Sequence, residues 1–190
     1  MNKIIWPLLL CAVLCGCGGG ETGSAVQEQY RTLETARLEA EVTSHTSTDS
    51  RTFTLLCSYD ADGDAVTTVT APGELAGLTA VVSGTDMTLS SEGLQLPAGA
   101  SLDICPANCL PYLLRALADG YVLEQSSEAL DDTPCLRLAL DTTAPGGSKV
   151  LCAVWLDAEG LFPRYAEFSR NEQVVLTVKL LAFTCTTSEG

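Results

Sequence analysis

The chain has 190 residues, 46% of them hydrophobic, with 24 acidic side chains against ten basic ones and a net charge of −14. An acidic surface of this kind repels nucleic-acid phosphates and anionic headgroups alike, which excludes a nucleic-acid binder and a basic membrane-hugging face. The length suits a single domain with a real core, and no second long apolar run, internal repeat or low-complexity tract follows the N-terminal segment.

In chain order, Met1-Asn2-Lys3 is a short basic start, and Ile4 to Cys15 is an apolar run broken only by Pro7. That run is too short to span a bilayer, which needs ~20 apolar residues. A basic start, a short apolar core and a small residue before a cut mark an export signal. Leu14-Cys15-Gly16-Cys17 resembles the bacterial lipobox, with Leu14 third before the cut, Gly16 just before it and Cys17 just after. Cuts before Cys15 or Cys11 fail, because Leu14 and Leu10 stand where a small residue is wanted. The resemblance implies that residues 1–16 are a removed signal peptide and that Cys17 is the lipidation site. It places the mature chain at the extracytoplasmic face of the cell membrane, anchored by acyl chains that each contribute ~0.8 kcal/mol per buried CH₂. Loss of residues 1–16 leaves 174 residues and nine basic side chains against 24 acidic, a charge near −15. Residues 17–24 read as the lipidated cysteine and a flexible glycine-rich tether reaching about 25 Å at most. Residues 25–190 read as the folded domain.

Ser24-Ala25-Val26-Gln27 has the form of a capping box, and Val26, Tyr30, Leu33 and Ala36 follow at helical spacing. Near Leu38 the period changes to two, predicting a strand through Val42. Phe53, Leu55, Cys57 and Tyr59 share one face of the next strand. Asp60-Ala61-Asp62-Gly63-Asp64 makes a turn, Ala65 to Thr70 returns as its partner, and Pro72-Gly73 breaks the pairing. Leu78–Val82, Met87–Ser90 and Leu94–Leu96 are short strands. Asn108 stands as a cap before Leu110, Leu113, Leu114 and Leu117, which occupy i, i+3, i+4 and i+7 of a helix ending at Asp119-Gly120. Strands resume at 121–126, 135–141, 149–157, 164–169 and 174–183, joined by turn residues. Those over 149–157 and 174–183 are apolar on both faces and so require cover on both, or a dry cavity. The fold class is mainly β with helices (α+β): a curved antiparallel sheet or open, incomplete barrel with helices across its concave side.

This element order resembles the LolA/LolB-like lipoprotein-carrier family over most of residues 25–185. The resemblance lies in a helix running into a strand, a hairpin followed by Pro72-Gly73, a leucine-rich helix near residue 110 and a strand meander. The most telling local match is Trp155-Leu156-Asp157, a turn, then Phe162-Pro163-Arg164-Tyr165-Ala166-Glu167. Where the carriers tend to have an arginine soon after the matching proline, this chain has Gly73-Glu74-Leu75-Ala76. The resemblance implies a helical lid over an apolar hollow that receives acyl chains, with Leu110, Leu113, Leu114, Leu117 and Trp155 as ligand-binding residues.

No catalytic constellation, metal site or cofactor motif emerges, so the chain reads as no enzyme and no cofactor is expected. Asp60 to Asp64 offers a fragment of a calcium loop without the distant glutamate, and a tight hairpin is the expected role. After the signal, six cysteines remain (Cys57, Cys105, Cys109, Cys135, Cys152 and Cys185), open either to three disulfides or to service as small apolar core residues. Cys105 and Cys109 are too widely spaced for a thioredoxin-like pair, and two close pairs for zinc are lacking. His45, the one histidine, lies in a polar stretch at a strand end and reads as a surface residue. Two functions are consistent with all this. One is a tethered module holding a lipid, acyl chain or other amphiphile in an apolar cavity. The other is a non-enzymatic envelope interaction or regulatory lipoprotein with a filled barrel and a protein partner. A hollow beneath Leu110 to Leu117 favours the first, a packed interior the second.

Overall fold

The computed structural model describes residues 19–99, 103–144 and 146–188. The signal segment and Cys17 lie outside the described residues. Eleven strands form one antiparallel sheet in the order β6-β5-β4-β3-β2-β1-β11-β10-β9-β8-β7, with β6 and β7 as unjoined edges. The elements are α1 (Gly19–Arg31), β1 (Leu33–His45), β2 (Ser50–Asp60), β3 (Ala65–Ala71), a 3-10 turn, then β4 (Thr79–Ser83), β5 (Asp86–Ser91) and β6 (Leu94–Gly99). After α2 (Cys109–Asp119) come β7 (Tyr121–Leu130), β8 (Thr133–Thr143), β9 (Lys149–Asp157), β10 (Pro163–Arg170) and β11 (Gln173–Thr187). The expected open, helix-covered antiparallel sheet is what the chain builds.

Alternation places one apolar row on the inner face. Leu138, Val154, Ala166, Val178, Val42 and Phe53 stand opposite one another across β8, β9, β10, β11, β1 and β2. All but Phe53 are buried. The matching outer row runs Arg137, Trp155, Tyr165, Lys179, Glu41 and Thr54. A one-residue slip would exchange these rows, so the register is strongly specified.

Helix α2 lies on the inner face with nine of its eleven residues buried, only Arg115 and Asp119 escaping. A short helix that is apolar nearly all round belongs inside a core. The Tyr112 ring meets Phe168 at 5.8 Å, and its hydroxyl pairs with Thr142 Oγ1 at 3.0 Å. Arg115 Nη1 donates to the Gly84 carbonyl at 2.7 Å, tying the helix to the β4–β5 turn. Helix α1 packs alongside, with Gln27 Nε2 donating to the Gly120 carbonyl at 2.7 Å and Tyr30 Oη to the Leu161 carbonyl at 3.0 Å.

Several boundaries differ from expectation. Helix α1 starts at Gly19, so residues 19–24 are helical rather than tether and Ser24 lies inside the helix instead of capping it. A cost of about 1 kcal/mol per interior glycine opposes this. Close packing favours it: a Cβ on buried Gly23 would sit 3.2 Å from Gln125 Oε1 and 3.6 Å from Val122 Cγ2. The helix ends at Arg31, before Leu33 and Ala36, whose spacing of three reflects a register shift in β1 between Leu33 and Thr35. A bulge and a helical turn both place buried residues three apart. Asn108 makes no cap hydrogen bond to α2; its Oδ1 accepts from the Cys105 N–H at 2.9 Å, and its Nδ2 donates to the Asp103 carbonyl at 3.1 Å. Among the described residues, no second layer lies over the outer faces of β9 and β11, since Leu151, Val174 and Leu181 stand exposed.

Candidate functional site

Leu110, Leu113, Leu114 and Leu117 come together as expected, and all four are 0–2% exposed within the main core cluster. Leu38, Leu55, Leu138, Leu140 and Phe168 belong to the same cluster. Each leucine so buried contributes about 1.5–3 kcal/mol. Space beneath α2 is therefore taken up by side chains of the chain itself. Trp155 is not part of that group. Its row partners Arg137 and Tyr165 put it on the outer face, separated from the leucines by the sheet.

There Trp155 joins a surface network. The Arg137 guanidinium sits 5.3 Å from the Trp155 ring centroid, and the Tyr165 ring lies 5.4 Å away on the other side. Trp155 Nε1 donates to Glu128 Oε2 at 3.0 Å, while Arg137 Nη1 pairs with Glu124 Oε2 at 3.2 Å. Hydrogen bonds from Ser126 and Trp155 hold the Glu128 carboxyl below its ordinary range.

Among the described residues, the best-formed hollows lie on the surface. Four open clefts of about 430, 450, 480 and 710 Å³ are lined by strand ends and turns, and none by the four leucines of α2. Three lie around the β7–β8 and β9–β10 turns. The first is lined by Leu130, Arg164, Lys179, Leu181 and Phe183, among others. Arg164 also lines the 710 Å³ cleft beside it. Sequence reading passed over this place. The available signal was the pair Leu180-Leu181, two adjacent apolar residues that break the alternation of β11.

All six described cysteines are free thiols, with Cys57, Cys109, Cys135 and Cys152 buried. Burial pushes the Cys57 thiol up to about 11 and raises those of Cys105, Cys109, Cys152 and Cys185 as well. A thiol held protonated is a poor nucleophile. The Asp60–Asp64 stretch is a hairpin turn in which Asp60 Oδ1 accepts from the Asp62 N–H at 3.0 Å. Among the described residues, no three metal-ligating side chains gather in one place. His45 ends β1, its ring nitrogens 3.0 Å from Ser50 Oγ and 3.2 Å from Thr177 Oγ1.

No protein-family model matches the sequence, and no curated protein is similar to it in sequence. Solved structures are similar in fold. An uncharacterized conserved protein from Thermus thermophilus aligns with a TM-score of 0.52 and 9% identity, over 89% of this chain and 88% of its own. A LolA superfamily protein from Nitrosomonas europaea aligns at 0.46 and 13% identity, over 87% and 94%. LprF from Mycobacterium bovis aligns at 0.45 and 11%, over 89% and 95%. Identities this low speak to fold alone. The fold is an antiparallel sheet that does not close, with helices on its inner side.

Proposed function

We propose that this protein is a lipid-anchored, extracytoplasmic LolA-like module that acts by binding another envelope protein at its surface, without catalysis. The filled interior carries this reading. With Leu110, Leu113, Leu114 and Leu117 at 0–2% exposure, an acyl chain could enter only by displacing α2. Displacement would cost the packing of a helix with nine buried residues, tied to both α1 and the β4–β5 turn. The surface, by contrast, offers clefts of mixed polarity and two unjoined sheet edges.

Anchoring through Cys17 would hold the domain close to the bilayer. Helix α1 begins two positions after Cys17, a chain length that reaches only about 7 Å. The module would then meet partners at the membrane surface.

Native mass spectrometry of residues 18–190 purified from cells tests the filled interior. Clean apoprotein with no uptake of a fluorescent fatty acid is expected. A co-purifying lipid lost on denaturation would overturn it in favour of an acyl-chain carrier. For the anchor, Cys17→Ala is expected to leave an unlipidated precursor, and unchanged acylation in that variant would remove the assignment.

A further inference from the structure

Strand β11 is much longer than the neighbour that covers it. Its pairing with β1 extends from Ser44 opposite Leu176 to Leu33 opposite Thr187. Its pairing with β10 stops at Lys179 opposite Tyr165. Beyond that rung, β10 ends within two residues, at Pro163, and the preceding 158–162 turn touches β11 through the Phe162 ring, 5.3 Å from the Phe183 ring. Residues Leu180 to Thr187 are therefore paired on one side only. No rung of the β10 ladder lies beyond Lys179, and among the described residues no backbone hydrogen bond joins the 158–162 turn to residues 180–187. An unpaired row of N–H and C=O groups is a template for another extended chain.

The first surface cleft lies against this open edge. Five consecutive residues, Lys179 to Phe183, line it, so backbone as well as side chains face the space. Two bulges aim side chains into it. Arg164 is the extra residue of β10 between the rungs Pro163–Leu156 and Tyr165–Trp155. Leu181 is the extra residue of β11 between Ala182–Glu39 and Leu180–Ala40. Bulges on adjacent strands that turn toward one cleft are the usual means of re-aiming side chains at a binding place.

Charge selects the occupant. Of the nine basic residues after Lys3, Arg31, Arg51, Arg137, Lys149 and Arg170 are ion-paired, and Arg115 is bonded to a carbonyl. Among the described residues, Arg37, Arg164 and Lys179 have no such partner, and the last two line this cleft. Of the two acids there, Asp157 is already engaged, its oxygens accepting from the Gly160 and Phe162 N–H groups at 2.6 and 3.2 Å. Leu130, Leu181 and Phe183 supply apolar contact beside the cations.

We infer that the open edge of β11 from Leu180 to Thr184 is a strand-addition site for an extended segment of a partner protein carrying an acidic residue between apolar ones. Main-chain hydrogen bonds to β11 provide affinity, and Arg164 and Lys179 select the acidic side chain. The inference rests on the partner-binding reading and names the chemistry of that partner.

The test uses the chain of residues 18–190 and a blocked Val-Asp-Val-Thr-Val peptide, its lysine counterpart, and a form N-methylated on alternate amides. Amide hydrogen exchange locates the contact. The acidic peptide is expected to slow exchange within residues 180–184 and to bind roughly fivefold more tightly than the lysine peptide, the selectivity two exposed ion pairs supply. Joint Arg164→Glu and Lys179→Glu substitution, with unfolding midpoints as the folding control, is expected to reverse that preference. N-methylation is expected to abolish binding. Equal binding of both peptides, binding insensitive to N-methylation, or protection of 180–184 by decanoate or phosphatidylethanolamine vesicles but not by peptide overturns the inference. So does the absence of any protection. A lipid-free protein with no peptide contact at β11 refutes only this site, whereas a lipid held under α2 refutes the filled interior.

Discussion

Truncating Leu113 to alanine measures whether α2 is a core element or a movable cover. Leu113 is fully buried among the residues of the main cluster, and Tyr112 beside it is fixed by Phe168 and Thr142. Removing three side-chain carbons loses their transfer free energy and leaves a cavity that the surrounding sheet cannot fully close. The expected cost is about 3–5 kcal/mol. A domain of this size loses roughly 2–4 °C per kcal/mol, which gives a fall of roughly 6–20 °C in Tm. Urea unfolding of residues 18–190, followed by circular dichroism, gives the same quantity if the slope is unchanged. Leu96→Ala is the control: Leu96 is 59% exposed on edge strand β6, and its truncation is expected to stay within about 0.5 kcal/mol. A loss below about 1 kcal/mol for Leu113→Ala would mean that α2 sits loosely over a hollow. The argument for a filled interior would then be wrong.

Gly120→Ala is expected to destabilise by about 1–3 kcal/mol in the same assay, because the new Cβ would lie 2.5 Å from the Ala116 carbonyl oxygen and 3.2 Å from Leu140 Cβ. Thiol labelling at pH 7.5 is expected to modify Cys105 and Cys185 first, the two partly exposed thiols, and all six only after unfolding without reductant; fewer than six would reveal a disulfide. Asp103 is held below its ordinary carboxylate value by hydrogen bonds from Ser148 and Arg170. A depressed folded-state pKa stabilises above the unfolded value and is lost as pH falls through the folded one. Asp103→Asn should therefore lower the unfolding midpoint slightly at pH 6, with the difference from the parent chain shrinking below the ordinary carboxylate value and vanishing as the pH falls through the lowered folded-state one. A constant difference down to pH 2 would refute that. Trp155 is the one tryptophan after Trp6, so Arg137→Ala should shift its emission while costing about 1 kcal/mol or less.

The sequence made the class of fold legible because its signals were periodic and agreed with one another. Leu110, Leu113, Leu114 and Leu117 could form one face of a helix and little else, and Phe53, Leu55, Cys57 and Tyr59 could form one face of a strand. Misreadings arose where local and tertiary forces diverged. Gly19, Gly20 and Gly23 suggest a flexible tether, yet the approach of Gly23 to Val122 and Gln125, 99 and 102 positions away, belongs to packing that no local pattern displays. Leu33 and Ala36 mimic a helical step because a bulge and a helical turn produce the same interval. Trp155 was grouped with the leucines as an apolar residue near the family's hollow. Its face follows from opposing Arg137 and Tyr165, and parity along β9, with Val154 and Leu156 inward, already pointed outward.

The same contrast explains why the two candidate sites were unequal in visibility. A core announces itself through repeated apolar positions, and the lid hypothesis came from that repetition. A core and a lid use the same residues, so only the volume beneath them distinguishes the two, and here that volume is occupied. The open edge of β11 depends instead on the difference between two ladders, one ending at Leu33–Thr187 and the other at Tyr165–Lys179. Strand length alone could not reveal that difference, because pairing partners are set by topology. What the chain does register locally is the irregularity: Pro163 opening β10 one residue before Arg164, and Leu180-Leu181 doubling the apolar step of β11. Both irregularities fall at the point where the ladders part. The Arg164 bulge belongs to the β9–β10 ladder and the Leu181 bulge to the β1–β11 ladder, so two separate irregularities converge on the one stretch where β10 no longer pairs with β11.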